Sequence, residues 1–148
     1  MSLRISSIIK PTKVVEFKIK DGKDQIVVKI HLEGVSSMDE QYIESVRFKR
    51  YKTDSEADKA GLMYVSRLIR HCVKKVEGIT LVDENDKETP FEVEFMTDEK
   101  KEITDDSYTM LMRALADQEV VEEVLGFYNK SNNLRIKKKA VKKNKKKA

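Results

Sequence analysis

An α+β fold follows from three features of the sequence. Two β-hairpin patterns flank a long amphipathic helix pattern, and a pair of shorter helix patterns comes after the second hairpin. One domain over residues 1–133 and a lysine-rich tail over 134–148 account for the chain of 148 residues. A body of this size buries a core without a disulfide or metal staple.

Residues 13–32 form the first hairpin pattern. Val15, Phe17 and Ile19 alternate with Glu16, Lys18 and Lys20; Ile26, Val28, Ile30 and Leu32 alternate with Val27, Lys29 and His31. Asp21-Gly22 suits a two-residue type I′ loop, because both positions need positive φ. That loop pairs Lys20 with Lys23, Phe17 with Ile26 and Val15 with Val28, which brings the apolar sets to one face. A short helix or loop is expected next, with Tyr42, Ile43 and Val46 on one side of a helix over 38–46.

The long helix is expected from about Glu56 to Val76, capped by Asp54 or Ser55. Ala57, Gly61, Val65, Leu68, Cys72 and Val76 recur at steps of three or four, and Ile69 and Val73 widen that stripe. Gly78 follows where a C-terminal cap prefers glycine. A second hairpin runs from Ile79–Val82 through a polar turn at 83–87 to Phe91, Val93 and Phe95, with Pro90 at a strand start or edge.

Thr104 is an N-cap for the first of two short helices. Asp105 and Asp106 suit the positive end of its dipole, and Ile103 with Tyr108 makes a hydrophobic staple. Tyr108, Leu111, Met112 and Leu115 share one face. Asp117 caps a second helix on which Val121, Val124, Leu125 and Tyr128 repeat the spacing. Ser131-Asn132-Asn133 ends the body.

The net charge of +4 is an average over unlike parts. Of the 30 Lys and Arg, 9 fall in Arg135–Ala148, which leaves 21 against 26 acids, a body of net charge −5. The body therefore offers no argument for nucleic-acid binding, whereas the tail does. Lys137, Lys138, Lys139, Lys142, Lys143, Lys145, Lys146 and Lys147 would contact phosphates or another anionic surface, sensitive to salt and blind to base sequence. Such a segment buries too little apolar surface to offset its ordering entropy, so disorder is expected. It has no aromatic residue for base stacking.

The residues exclude several classes of chemistry. The five glycines stand far apart and form no phosphate-binding loop. His31 and His71 lack metal-ligand spacing. His71 and Cys72 are neighbours on a helix and point about 100° apart, so they form no catalytic pair; Cys72 reads as a small core residue. Asp83, Asn85, Lys87 and Glu94 fall at calcium-loop spacing, but Lys87 is a cation at a ligand position and Glu88 replaces the turn glycine. Glu92, Glu94, Asp98, Glu99 and Glu102 read as solvated charge. No catalytic residue, metal site or cofactor is expected. The single cysteine fits a reducing compartment, hence the cytoplasm. The N-terminus shows neither a signal peptide nor an anchor, and no run approaches a spanning helix, so no membrane partner is expected.

Leu68-Ile-Arg-His-Cys-Val-Lys-Lys-Val-Glu-Gly-Ile79, followed by Val82-Asp-Glu-Asn-Asp-Lys-Glu-Thr-Pro-Phe91, resembles the tail-assembly chaperones of long-tailed phages over about residues 62–128. In that group a helix ends in a valine–aromatic–glutamate–glycine–isoleucine phrase. A polar hairpin with a proline–phenylalanine pair and leucine-rich short helices then follow. Val76 stands where the phrase carries its aromatic residue. The resemblance implies a non-catalytic protein of the host cytoplasm that covers the tape-measure protein while tail tube subunits polymerise. Contacts with such a partner would fall on the C-terminal helices, at Met110, Met112, Leu115, Val121, Leu125 and Tyr128. The alternative is a nucleic-acid-binding protein that uses its tail.

Overall fold

The structure, a computed structural model, describes residues 2–5, 7–8, 10–48, 50–115 and 118–132. It is α+β. Strands β1 (Thr12–Asp21) and β2 (Asp24–Glu33) lead to helix α1 (Ser37–Glu44) and a 3-10 turn (Ser45–Phe48). Helix α2 (Asp54–Cys72) continues into β3 (Val73–Glu77), and β4 (Thr80–Val82) and β5 (Glu88–Pro90) precede α3 (Asp105–Leu115) and α4 (Gln118–Asn132). An antiparallel sheet of order β1-β2-β3 lays one face on the helices, and β4-β5 forms a separate two-stranded sheet.

The first hairpin forms, with a register two residues from the expected one. Asp21 pairs with Asp24, Phe17 with Val28 and Val15 with Ile30, so the loop is Gly22-Lys23. Gly22 takes φ +63 and Lys23 does not share the positive sign, the pattern of a II′ rather than a I′ turn. The side-chain period is two, so a slip of two residues leaves every side chain on its expected face. Val15, Phe17, Val28, Ile30 and Leu32 are buried accordingly.

The long helix stops four residues early. After Cys72 the backbone turns extended at Val73 (φ −77, ψ 124) and enters the sheet against β2. His31 pairs with Lys75 and Leu32 with Val73, so Lys74 is the extra residue of a bulge. The bulge places Val73 and Val76 on one face of a strand although they stand three apart. An i, i+3 apolar pair thus satisfies a bulged strand as well as a helix, and the open edge of β2 decides between them. Gly78 is a turn residue between strands, not a helix cap. Its φ is +96, and a Cβ there would overlap the Val27 carbonyl oxygen, so both conformation and space demand glycine.

Thr53, not Asp54 or Ser55, caps α2, its hydroxyl accepting from the Glu56 N–H. The first half of α2 is largely exposed, Ala57 and Gly61 included; full burial begins beyond them, at Leu68, Ile69 and Cys72. On α1, Ile43 is buried, as is Val46 just beyond it, but Tyr42 is exposed. Thr104 caps α3 as expected, accepting from the Ser107 N–H at 3.1 Å. On α4 the core face is Val120, Val124, Phe127 and Tyr128, a rotation that leaves Val121 and Leu125 half-buried. The helix extends through Ser131 to Asn132. The Asp117 cap and the lysine tail lie outside the described residues.

Phe91 is buried, Val93 and Phe95 pack at the core's edge, and Glu92 and Glu94 are exposed, so the alternation persists beyond β5 without a ladder. Pro90 ends β5 on a sheet that has only edges, where its missing donor costs little.

Candidate functional site

Among the described residues, one cleft of about 270 Å³ brings several titratable side chains together. It lies where the start of α1, the end of α2 and the segment 95–101 meet, and its walls include His71, Lys74, Asp39 and Glu33. The elements explain the grouping: β2 delivers Glu33, the N-terminus of α1 delivers Asp39, and the helix-to-strand change after Cys72 turns Lys74 toward the segment.

His71 and Lys74 are occupied structurally. The His71 ring is 5 % exposed, its Nδ1–H donates to the Arg67 carbonyl at 2.6 Å, and its Nε2 lies 4.0 Å from a Glu102 oxygen. The Lys74 ammonium donates to the Lys100 and Lys101 carbonyls at 2.9 and 2.7 Å and faces the Phe95 ring. Burial lowers its pKa, with Glu33 acting in the opposite sense. The Arg70 Nε–H donates to the Ile103 carbonyl, and the Ile103 N–H donates back to the Arg70 carbonyl. Together Arg70, His71 and Lys74 fasten the segment 96–103 to the end of α2. No hydroxyl or thiol is hydrogen-bonded to His71 among the described residues. The arrangement is a clasp and lacks a nucleophile with its base.

Cys72 is sealed in the core, and burial pushes its thiol up to about 12. It faces away from the chemistry its neighbour could offer, as their helical spacing implies. His31 sits on the outer face of the sheet, 2.8 Å from Glu77, whose carboxyl is held below its ordinary value chiefly by that hydrogen bond. Asp83 accepts the Asn85 and Lys87 backbone N–H groups at 2.8 and 3.0 Å, the closure of an Asx turn rather than a calcium cradle. Asp86 takes φ 60 there. Among the described residues no group of three or more His, Cys, Asp or Glu could hold a metal ion, and no helix is long and apolar enough to cross a membrane.

The structure divides the contact residues suggested on the C-terminal helices. Leu115 and Tyr128 belong to the core, and the Tyr128 hydroxyl donates to Glu44 at 3.0 Å. Met112, Val121 and Leu125 are half-buried, and Met110 is exposed. The larger apolar exposure lies on α1 and α2, where sequence reading did not place it. Met38 is 75 % exposed, and Tyr42 and Met63 are each 48 % exposed. Met38 and Tyr42 stand one turn apart on α1, as do Met63 and Arg67 on α2. The Arg67 guanidinium stacks 4.1 Å over the Tyr42 ring and donates to the Tyr42 carbonyl and the Ser45 hydroxyl. These contacts join the two helix faces into one patch. The sequence held a signal for it: apolar residues one turn apart on α1, on a face other than that of Ile43.

Compared with family models, curated proteins and solved structures, the chain finds no match.

Proposed function

We propose that the protein is a non-enzymatic binding protein that covers an apolar stretch of another protein, the role the tail-assembly resemblance implies. The observation that carries this reading is the Met38–Tyr42–Met63 patch with Arg67 stacked at its centre. Methionine, tyrosine and arginine are enriched at protein interfaces, and methionine adapts its shape to varied apolar partners. The two helices form a shallow platform on which one face of an amphipathic helix would lie. Met110 is an additional exposed side chain on α3. Support for a non-catalytic role comes from the occupied state of His71 and Lys74 and from the sealed Cys72 thiol.

The test is co-expression with the tape-measure protein encoded in the same genome. The wild-type chain is expected to raise the soluble yield of that protein and to co-purify with it. Tyr42→Ala combined with Met63→Glu, both at exposed positions, is expected to abolish co-purification while the far-ultraviolet circular dichroism stays unchanged. No complex with the wild-type chain, or an equal complex with the variant, would contradict the proposal.

A further inference from the structure

The three-stranded sheet ends in a bare strand. β1 is 10 residues long and keeps an unbroken register with β2, and its one neighbouring proline, Pro11, stands before it. The Asp21–Asp24 pair that closes the two-residue loop is a hydrogen-bonded pair, so odd-numbered residues of β1 aim their backbone groups at β2. The bond from the Gly34 N–H to the Pro11 carbonyl, 2.8 Å, carries the same parity to the far end. Thr12, Val14, Glu16, Lys18 and Lys20 therefore aim their N–H and C=O groups at the open edge. Among the described residues no backbone hydrogen bond meets them there. The opposite edge, β3, is half as long and is bulged at Lys74.

An open edge of this length is a template for another strand, and its side chains decide which strand fits. Two antiparallel copies of β1 related by a two-fold axis meet only even residue to even residue, because only those carry free backbone groups. The residue on the axis then fixes the register. A centre at Glu16 sets acid against acid, and a centre at Lys18 sets lysine against lysine. A centre at Ile19 sets Lys18 against Lys20. Each is repelled. A centre at Val15 leaves Glu16 opposite Val14, with no cation to meet it. A centre at Phe17 sets Glu16 against Lys18 of the second copy, and the symmetry makes that contact twice. Lys29 of β2 lies 3.8 Å from Glu16, so the row across the joined sheet reads Lys29, Glu16, Lys18, an acid between two cations. In the same register the stem of Lys20 covers the exposed Val14. On the inner face Val15 meets Ile19, which is 38 % exposed in the single chain.

We propose that β1 pairs antiparallel with β1 of a second copy, centred on Phe17, to make a continuous six-stranded sheet. The contact is isologous, so it consumes both β1 edges and closes at two copies. Four hydrogen-bonded residue pairs join the strands, Val14 with Lys20 and Glu16 with Lys18, each occurring twice. This surface is separate from the apolar patch on α1 and α2.

The test is sedimentation equilibrium of the full chain over the micromolar range. The wild-type chain is expected to show a monomer–dimer equilibrium with no larger species. Lys18→Glu is expected to weaken the dimer at least about tenfold, since it replaces two opposite-charge contacts by two like-charge ones. Within its own sheet Lys18 faces only Val27, so the far-ultraviolet circular dichroism should stay unchanged. Glu16→Lys combined with Lys18→Glu exchanges the charges between strands and is expected to restore the dimer, a recovery that only the Phe17-centred register gives. A wild-type chain that stays monomeric, a Lys18→Glu variant that dimerises as tightly as wild type, or a double variant no tighter than Lys18→Glu would overturn the proposal.

Discussion

Cys72 and His71 show how one step along a helix separates two fates. Cys72 turns into the core, where burial holds the thiol neutral with a pKa near 12, well above the ordinary value of about 8.5. The stability gained by keeping it neutral is therefore present below about pH 8.5 and lost as pH climbs toward 12. A disulfide reagent at pH 8 is expected to label the native protein at least about a hundredfold more slowly than the protein in urea, because labelling must wait for opening. Equal rates in the two conditions would remove Cys72 from the core. The burial of Cys72 was legible from its place in a stripe with Leu68 and Ile69. That of His71 was not, since its two stabilising contacts come from Arg67 in the preceding turn and from Glu102, remote in sequence. Tyr42 illustrates the converse. It was expected on one side of the helix with Ile43 and Val46, and packing buries those two and leaves Tyr42 exposed.

Among the elements, the junction of α2 and β3 carries the most information. Periodicity gave a helix through Val76, because a helix and a bulged strand present Val73 and Val76 alike. The choice belongs to a long-range demand, the unpaired edge of β2, which no local pattern records. The bulged residue, Lys74, then becomes the fastening for the segment 96–103. Lys74→Met keeps the stem and removes the ammonium, so both carbonyls lose their donor. The expected cost is about 1–2 kcal/mol, lowered by partial exposure, with faster amide exchange in residues 97–102. Unchanged exchange there would show that the segment is held without the Lys74 ammonium. By contrast, the first hairpin was legible nearly whole. Only its register differed, and the even slip preserved every buried position. On α4 the opposite holds: Val121 and Leu125 fit the expected spacing as well as Val120 and Phe127 do, and contact with the rest of the body selects the second pair.

For the whole molecule, the α+β class and the separation of an acidic body from a basic tail follow directly from patterning and charge. The candidate site does not, because it depends on which faces the helices leave uncovered after packing. The patch on α1 and α2 exists because α1 turns Ile43 inward and Arg67 bridges to Tyr42; neither contact is written in one segment. The proposed contact surface lies on α1 and α2, and Arg70, His71 and Lys74 form a structural clasp at the end of α2. Hydrogen–deuterium exchange of the full chain, with and without a soluble amphipathic helical segment of a phage tape-measure protein, tests the proposed docking role most directly. Slower exchange in residues 38–46 and 60–67, with the β4–β5 hairpin unchanged, is the predicted result. No slowing, or slowing confined to surfaces away from α1 and α2, would contradict it.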